Sequence, residues 1–259
     1  MSALYDEIGT TYCTTRRADP SIATTLASLL SIEPGKHYLD LACGTGNYTN
    51  ALAMLGGRWH GADISEVMIR QAQSSNQQIQ WQVSSASSLP YRDSSFDGVM
   101  CTLAIHHFNG LLHPFEEVRR TLKHGNFVLF TAFSEQMRRY WLCHYFPCMM
   151  EHAIAQMPEQ ALVSAQLQAA GFTIERVLPF NITNELQDLF LYSGKERPEL
   201  YLDPAVRANI SSFASLCSQA ELNAGMQKLR NDITTGAFSE IAASYQSPVG
   251  DYAYVVAKA

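Results

Sequence analysis

Tyr38-Leu39-Asp40-Leu41-Ala42-Cys43-Gly44-Thr45-Gly46 is a short apolar run that breaks into a glycine-spaced turn, with an acidic residue embedded just before it. Tyr38 to Leu41 has the character of a buried parallel strand. Gly44 and Gly46 let the backbone turn tightly and approach a ligand with no side chain in the way. From Asn47 onward Ala51, Leu52 and Leu55 fall at helical spacing, so the turn sits at a helix N-terminus, where unpaired N–H groups point outward. Strand, glycine turn and helix start in this order make a nucleotide-binding first turn.

Two nucleotide classes use such a turn. A dinucleotide fingerprint asks for a third glycine three positions after the second, and that position holds Thr49. The chain continues instead to Trp59-His60-Gly61-Ala62-Asp63-Ile64-Ser65, which puts a carboxylate where a second strand ends. Its natural role is to accept hydrogen bonds from the two hydroxyls of a ribose.

From here the sequence resembles the class I, seven-stranded S-adenosylmethionine-dependent methyltransferases, of the type 11-like, small-molecule group. The matching pieces are Asp40 to Gly46, Asp63-Ile-Ser-Glu-Val-Met68, Leu89-Pro90-Tyr91, Ser95-Phe96-Asp97-Gly98-Val99, His106-His107-Phe108 and Glu117 to Gly125. They occur in the family's order and at its usual separations, from about residue 5 to residue 132. The resemblance implies an α/β fold: a doubly wound, seven-stranded Rossmann-like sheet with an N-terminal helical lid and a helical cap inserted before the last strand.

Alternating strand and helix patterns agree with that class. Strands are predicted near 37–42, 58–63, 79–83, 96–102, 126–132, 173–179 and 251–257, with helices in most of the gaps and two more, Leu4–Tyr12 and Ser21–Leu30, before the first strand. The last two strands look like the family's antiparallel edge, but residues 181–245 separate them, far more than a hairpin loop. Leu186, Leu189 and Phe190, then Leu216, Leu222, Met226 and Leu229, give that stretch helical periodicity. The expected organisation is one methyltransferase domain: a lid at 1–30, the core at 31–180 and 246–259, and the cap at 181–245.

Composition bounds the function. With 259 residues and 47% hydrophobic content the chain can bury one sizeable core. A formal net charge of −6 argues against a phosphate-backbone partner, which Lys and Arg would have to neutralise. The six cysteines include no C-x-x-C pair and no secretory leader precedes them, so they are expected to be reduced thiols of a cytoplasmic protein. No apolar stretch approaches the roughly 18 residues needed to span a bilayer, and no membrane association is expected.

The resemblance assigns S-adenosylmethionine as cofactor, with S-adenosylhomocysteine as product, and it carries to particular residues. Asp40 would contact the cofactor directly or through water. Ala42, Cys43, Gly44 and Gly46 would form its loop, and a bulky side chain at either glycine would fill the space of the methionine and ribose moieties. Asp63 would hold the ribose, and Ile64 and Met68 would flank the adenine. The family's usual Gly-Asp-Ala after the third strand is Ser84-Ser85-Ala86 here, so Ser85, Ala86 and Ser87 would read the ring without a charge. Cys101, on the fourth strand, is carried over with them. In the variable N-terminal lid, Tyr12 and Arg16 have the family's four-residue separation, and the Arg16 guanidinium would pair with the methionine carboxylate.

Methyl transfer from a sulfonium needs mainly alignment of nucleophile and methyl carbon. His106 and His107, after the fourth strand, are the candidate catalytic residues, as a base for an oxygen or nitrogen nucleophile or as one packed and one lining ring. No His/Cys/Asp cluster has metal-ligand spacing, so no metal is expected. The aromatic segment Arg139 to Pro147, with Met149 and Met150, could form an apolar pocket with 181–245 or pack on the core. A small-molecule acceptor is the expected partner, with the chain a monomer or homodimer. A cofactor-binding sensor without catalysis and a macromolecule-directed enzyme are the alternatives.

Overall fold

The computed structural model describes residues 16–259. The predicted helix Leu4–Tyr12 and the candidate Tyr12 lie outside them. The described chain begins with α1 (Pro20–Leu30), whose N-cap Asp19 accepts from the Ser21 and Ile22 amides. Next come β1 (His37–Leu41), α2 (Asn47–Ala53), β2 (Arg58–Asp63), α3 (Glu66–Ser75), β3 (Gln80–Val83), β4 (Gly98–Thr102), α4 (Leu112–Thr121) and β5 (Asn126–Thr131). After β5 the chain forms α5 (Ser134–Met137), α6 (Leu142–Tyr145), α7 (Pro147–Gln156), α8 (Gln160–Ala169) and β6 (Thr173–Phe180). Helices α9 (Pro204–Ala208), α10 (Ser211–Ser215), α11 (Gln219–Thr235) and α12 (Phe238–Ala243) precede β7 (Tyr252–Lys258).

The strands form one seven-stranded sheet in the order β3-β2-β1-β4-β5-β7-β6. The first five strands pair in parallel, and β7 runs antiparallel to both of its neighbours. All seven predicted strands are present within two residues of their predicted ends.

Both faces of the central strands are buried, which is why they read as continuous apolar runs. Successive residues supply opposite cores: Tyr38, Met100, Val128 and Val256 face α1 and the cap, whereas Leu39, Val99, Leu129 and Val255 face α4 and α8. Chain order reverses between β1 and β4, so a crevice opens outside the carboxyl ends of these strands, the standard ligand position in such sheets.

One expectation about the cap needs correction, and one open alternative is decided. Leu186, Leu189 and Phe190 lie in an irregular loop, not in a helix. The backbone there is engaged in non-helical bonds: the Gln187 amide donates to Asp19 Oδ2, and the Leu186 carbonyl accepts from Arg197. The helical spacing at Leu222, Met226 and Leu229 does fall within α11, which starts at the Ser218 cap and stops at Gly236 with φ 82°. The aromatic segment is core, not cavity wall. Tyr140, Trp141, Phe146 and Met149 are buried, with the Tyr140 and Tyr192 rings stacked at 3.9 Å between centroids.

Candidate active site

The crevice is shaped by the loops that leave β1, β2 and β4. Ala42 and Leu103, the residues just past β1 and β4, both have positive φ, at 57° and 54°. A side chain in that conformation costs about 1–3 kcal/mol and persists only where its surroundings enforce it. Here the Leu103 amide donates to the Phe130 carbonyl at 2.7 Å, and the Cys43 amide to the Ala62 carbonyl at 3.1 Å. The glycine turn is then closed from β2, where Asp63 Oδ2 accepts the Gly44 amide at 2.8 Å and Oδ1 the Ser65 amide at 2.9 Å.

Around this turn lies a cavity of about 320 Å³, within the usual range for small-molecule and cofactor sites. Its lining includes Ala42, Cys43 and Gly44 after β1, Asp63, Ile64 and Met68 at and after the end of β2, Ser85, Ala86 and Ser87 after β3, His107 after β4, and Arg16. Ser85 is turned inward on its own loop, accepting the Ser87 amide at 3.2 Å.

The cavity fits a nucleoside cofactor. A Cβ on Gly44 would meet nothing within 4 Å, so the turn borders open space there. Asp63 Oδ2 accepts the Gly44 amide and Oδ1 the Ser65 amide, and a carboxylate so engaged still has acceptor capacity for ribose hydroxyls. Burial raises the Asp63 carboxyl above its ordinary range, against the lowering by the Ser65, Gly44 and Ile64 amides.

Four expected residues do not line this cavity. Gly46 is needed for packing: a Cβ there would come within 2.2 Å of the Trp81 indole, which covers the turn from β3. Asp40 lies beneath the loop, where Oδ2 accepts the Thr49 hydroxyl at 2.6 Å and Oδ1 is buried without a partner. Desolvation lifts its carboxyl to about 7. Cys101 is core on β4. His106 opens into a second cavity, of about 100 Å³, that shares Arg16 and Leu103 with the first.

Arg16 lines the first cavity and has a partner that sequence reasoning did not name. Its Nε donates to Asp188 Oδ1 at 2.5 Å and its Nη2 to Oδ2 at 3.3 Å, so the cap supplies an anionic partner within the protein. Sequence reasoning missed Asp188, Asn47, Tyr48 and Leu103. Asn47 and Tyr48 come directly after the glycine turn and were findable there, whereas Asp188 sits in a stretch with no motif. Among the described residues, no group of three or more His, Cys, Asp or Glu side chains is placed to hold a metal ion. No helix among them is long and apolar enough to cross a membrane.

The His106 and His107 rings lie 3.8 Å apart. Burial lowers His107 to about 4; burial and then the charge of His107 lower His106 to about 3. Both are neutral at pH 7. Unfolded, each would protonate near its ordinary 6.5, so the unfolded chain binds more protons and stability falls as pH drops from about 6.5 toward 4. Denaturant melts at pH 7 and pH 5 should show a smaller loss for His107→Gln than for the parent. Equal losses would place the pH sensitivity elsewhere.

A glycine turn closed by a carboxylate at the end of the next strand, set at the switch point of a seven-stranded sheet, defines a nucleoside-cofactor site of the methyltransferase class. Comparison with known proteins agrees. A family model described as "Methyltransferase domain" matches residues 39–130. The crystal structure of a protein described as a methyltransferase from an antibiotic biosynthesis pathway of Anabaena variabilis is 34% identical, covers 93% of this chain and 98% of that one, and superposes with a TM-score of 0.84. A demethylmenaquinone methyltransferase of Clavibacter sepedonicus is 27% identical over 66% of this chain and 82% of its own length. Several other curated relatives are matched over only 22% to 64% of their length. Geranyl diphosphate C-methyltransferase of Streptomyces coelicolor, solved with S-adenosyl-L-homocysteine, is 13% identical; it covers 92% of this chain and 75% of its own, and shares the fold with a TM-score of 0.58. The chain belongs to the class I S-adenosylmethionine-dependent methyltransferases, and S-adenosylmethionine is its cofactor.

Proposed function

We propose that this protein methylates a small, largely apolar and uncharged acceptor that enters the second cavity. The carrying observation is the lining of that chamber. Met137, Met157, Phe190, Ile210 and Tyr252 supply apolar wall, with Gln156, Asn209, Ser211 and Ser212 as neutral polar groups. Arg16, its charged member among the described residues, also lines the first cavity and is held there by Asp188. The rest of the chamber offers only apolar and neutral polar groups, so a charged acceptor would lose its hydration without an opposite charge of its own, which disfavours charged acceptors.

The cofactor, when bound in the first cavity, supplies a methyl group activated on a sulfonium. The protein's part is to orient and to exclude water. Asp63 and the Gly44 turn would fix the adenosine. Leu103, common to both cavities, forms the wall past which acceptor and methyl group meet. His107 faces the first cavity in its neutral form, which can accept a proton from an oxygen or nitrogen nucleophile. The antibiotic-pathway and demethylmenaquinone relatives, both small-molecule contexts by their names, support the same reading.

Methyl-labelled S-adenosylmethionine and the protein, added to a host-cell extract split into small-molecule, protein and nucleic-acid fractions, test the proposal. Label is expected in the solvent-extractable small-molecule fraction. Label confined to protein or nucleic acid would sink it.

A further inference from the structure

The cap meets the cofactor loop at one buried carboxylate. Asp188, in the loop after β6, is 1% exposed and lines the first cavity. Besides the two donors of Arg16, it accepts the Tyr48 hydroxyl at 3.1 Å. The Arg16 carbonyl in turn accepts from Asn47 Nδ2 at 2.8 Å. Asn47 and Tyr48 open α2, immediately after the glycine turn. Three segments distant in sequence are therefore fastened at one point: the chain before α1, the cofactor loop and the cap.

The physical chemistry of that point is specific. A guanidinium carries five N–H donors in a rigid fork, and Asp188 engages the edge formed by Nε and Nη2. Fixing that edge sets the direction of the others. A buried carboxylate opposite a buried cation also removes the large cost that either would have alone. Sheet order gives the direction along the cavity: Ser85 to Ser87 follow β3, Asp63 ends β2, and Arg16 is tied to Asn47 after β1. With Asp63 on the ribose and Ser85 to Ser87 on the β3 side, the amino-acid end of the cofactor extends the opposite way, toward Arg16 and Asp188.

We propose that Asp188 is a positioning residue for cofactor binding: it holds the Arg16 guanidinium at the amino-acid end of the cavity, where Arg16 receives the cofactor's carboxylate. The cap thereby becomes part of the cofactor site. The proposal rests on the cofactor reading of the first cavity and is independent of the acceptor assigned to the second.

The test is calorimetric titration of the full chain and of Asp188→Asn with S-adenosylhomocysteine and with 5′-methylthioadenosine, which keeps the adenosine and lacks the amino acid. The dissociation constant for S-adenosylhomocysteine should rise about tenfold or more, while that for 5′-methylthioadenosine stays unchanged. Arg16→Gln should give the same pattern, and adding Asp188→Asn to it should cost nothing further. Parallel losses for both ligands would reduce Asp188 to a structural role and overturn the proposal. Unchanged or tighter binding of S-adenosylhomocysteine would overturn it too, since Asp188 would then ignore the carboxylate or compete with it. Should Asp188→Asn fail to fold, Tyr48→Phe removes one hydrogen bond from Asp188 and keeps the ion pair. It should produce a smaller loss with the same selectivity, and a loss without selectivity would be decisive against the idea. A parent chain that bound neither ligand would remove the cofactor reading itself, a visibly different failure.

Discussion

Asp63→Ala is expected to weaken S-adenosylhomocysteine binding about a hundredfold while leaving the melting temperature nearly unchanged. Two hydrogen bonds from ribose hydroxyls to a carboxylate contribute about 1.5 kcal/mol or more each, and each 1.4 kcal/mol is a factor of about ten in affinity. The fold has less at stake. Asp63 accepts the Gly44 and Ser65 amides, but its raised pKa shows that burial penalises the ionised side chain more than those amides return. Removing the carboxylate relieves that penalty as it frees the amides that it holds. Calorimetry beside a thermal melt checks both halves. An unaltered dissociation constant would take Asp63 out of the ribose role, and a large drop in melting temperature would make it a structural residue of the turn.

Gly46→Val should act on the other side of that balance. The added Cβ would come within 2.2 Å of the Trp81 indole, and the Trp81 Nε1 is tied to the Asn76 carbonyl at 2.7 Å, so the ring cannot simply swing away. Overpacking of this kind costs about 1–3 kcal/mol, and a branched residue at φ 77° adds about 1–2 kcal/mol more. For a domain of this size that lowers the melting temperature by roughly 10 °C. Gly44→Ala is the contrast. Its Cβ meets nothing, so the fold should lose about 1 kcal/mol from backbone strain alone, while cofactor affinity is expected to fall because Gly44 lines the cavity. If Gly46→Val instead melted like the parent and lost only cofactor, Gly46 would belong to the cavity after all.

These two glycines show where reading the sequence succeeds and where it stops. The motif treats them alike, and both are expected at the ligand on that basis. In the folded chain one faces open space and the other faces Trp81, a residue thirty-five positions later on a strand not adjacent to β1. The His pair divides in the same way. Adjacent in sequence after β4, the two rings turn into different cavities, because the short helical turn at Ile105–His107 rotates successive side chains apart.

Asp188 and Arg16 are harder still. Arg16 stands out as a cation four residues after a tyrosine, but its partner lies 172 residues away in a stretch whose apolar spacing suggests a helix. A loop bonded to side chains of other segments leaves no periodic trace.

By itself the sequence determined the sheet, the crevice at its switch point and the carboxylate at the end of β2. Those come from local rules: apolar runs long enough to be buried on both faces, glycines where the backbone must take positive φ, and chain order in a doubly wound topology. Only the tertiary structure decided which face each loop residue presents, which cavity each histidine enters and which carboxylate neutralises Arg16. Those depend on contacts between segments far apart in the chain, and such contacts are set by packing the cap against the sheet rather than by any spacing along it.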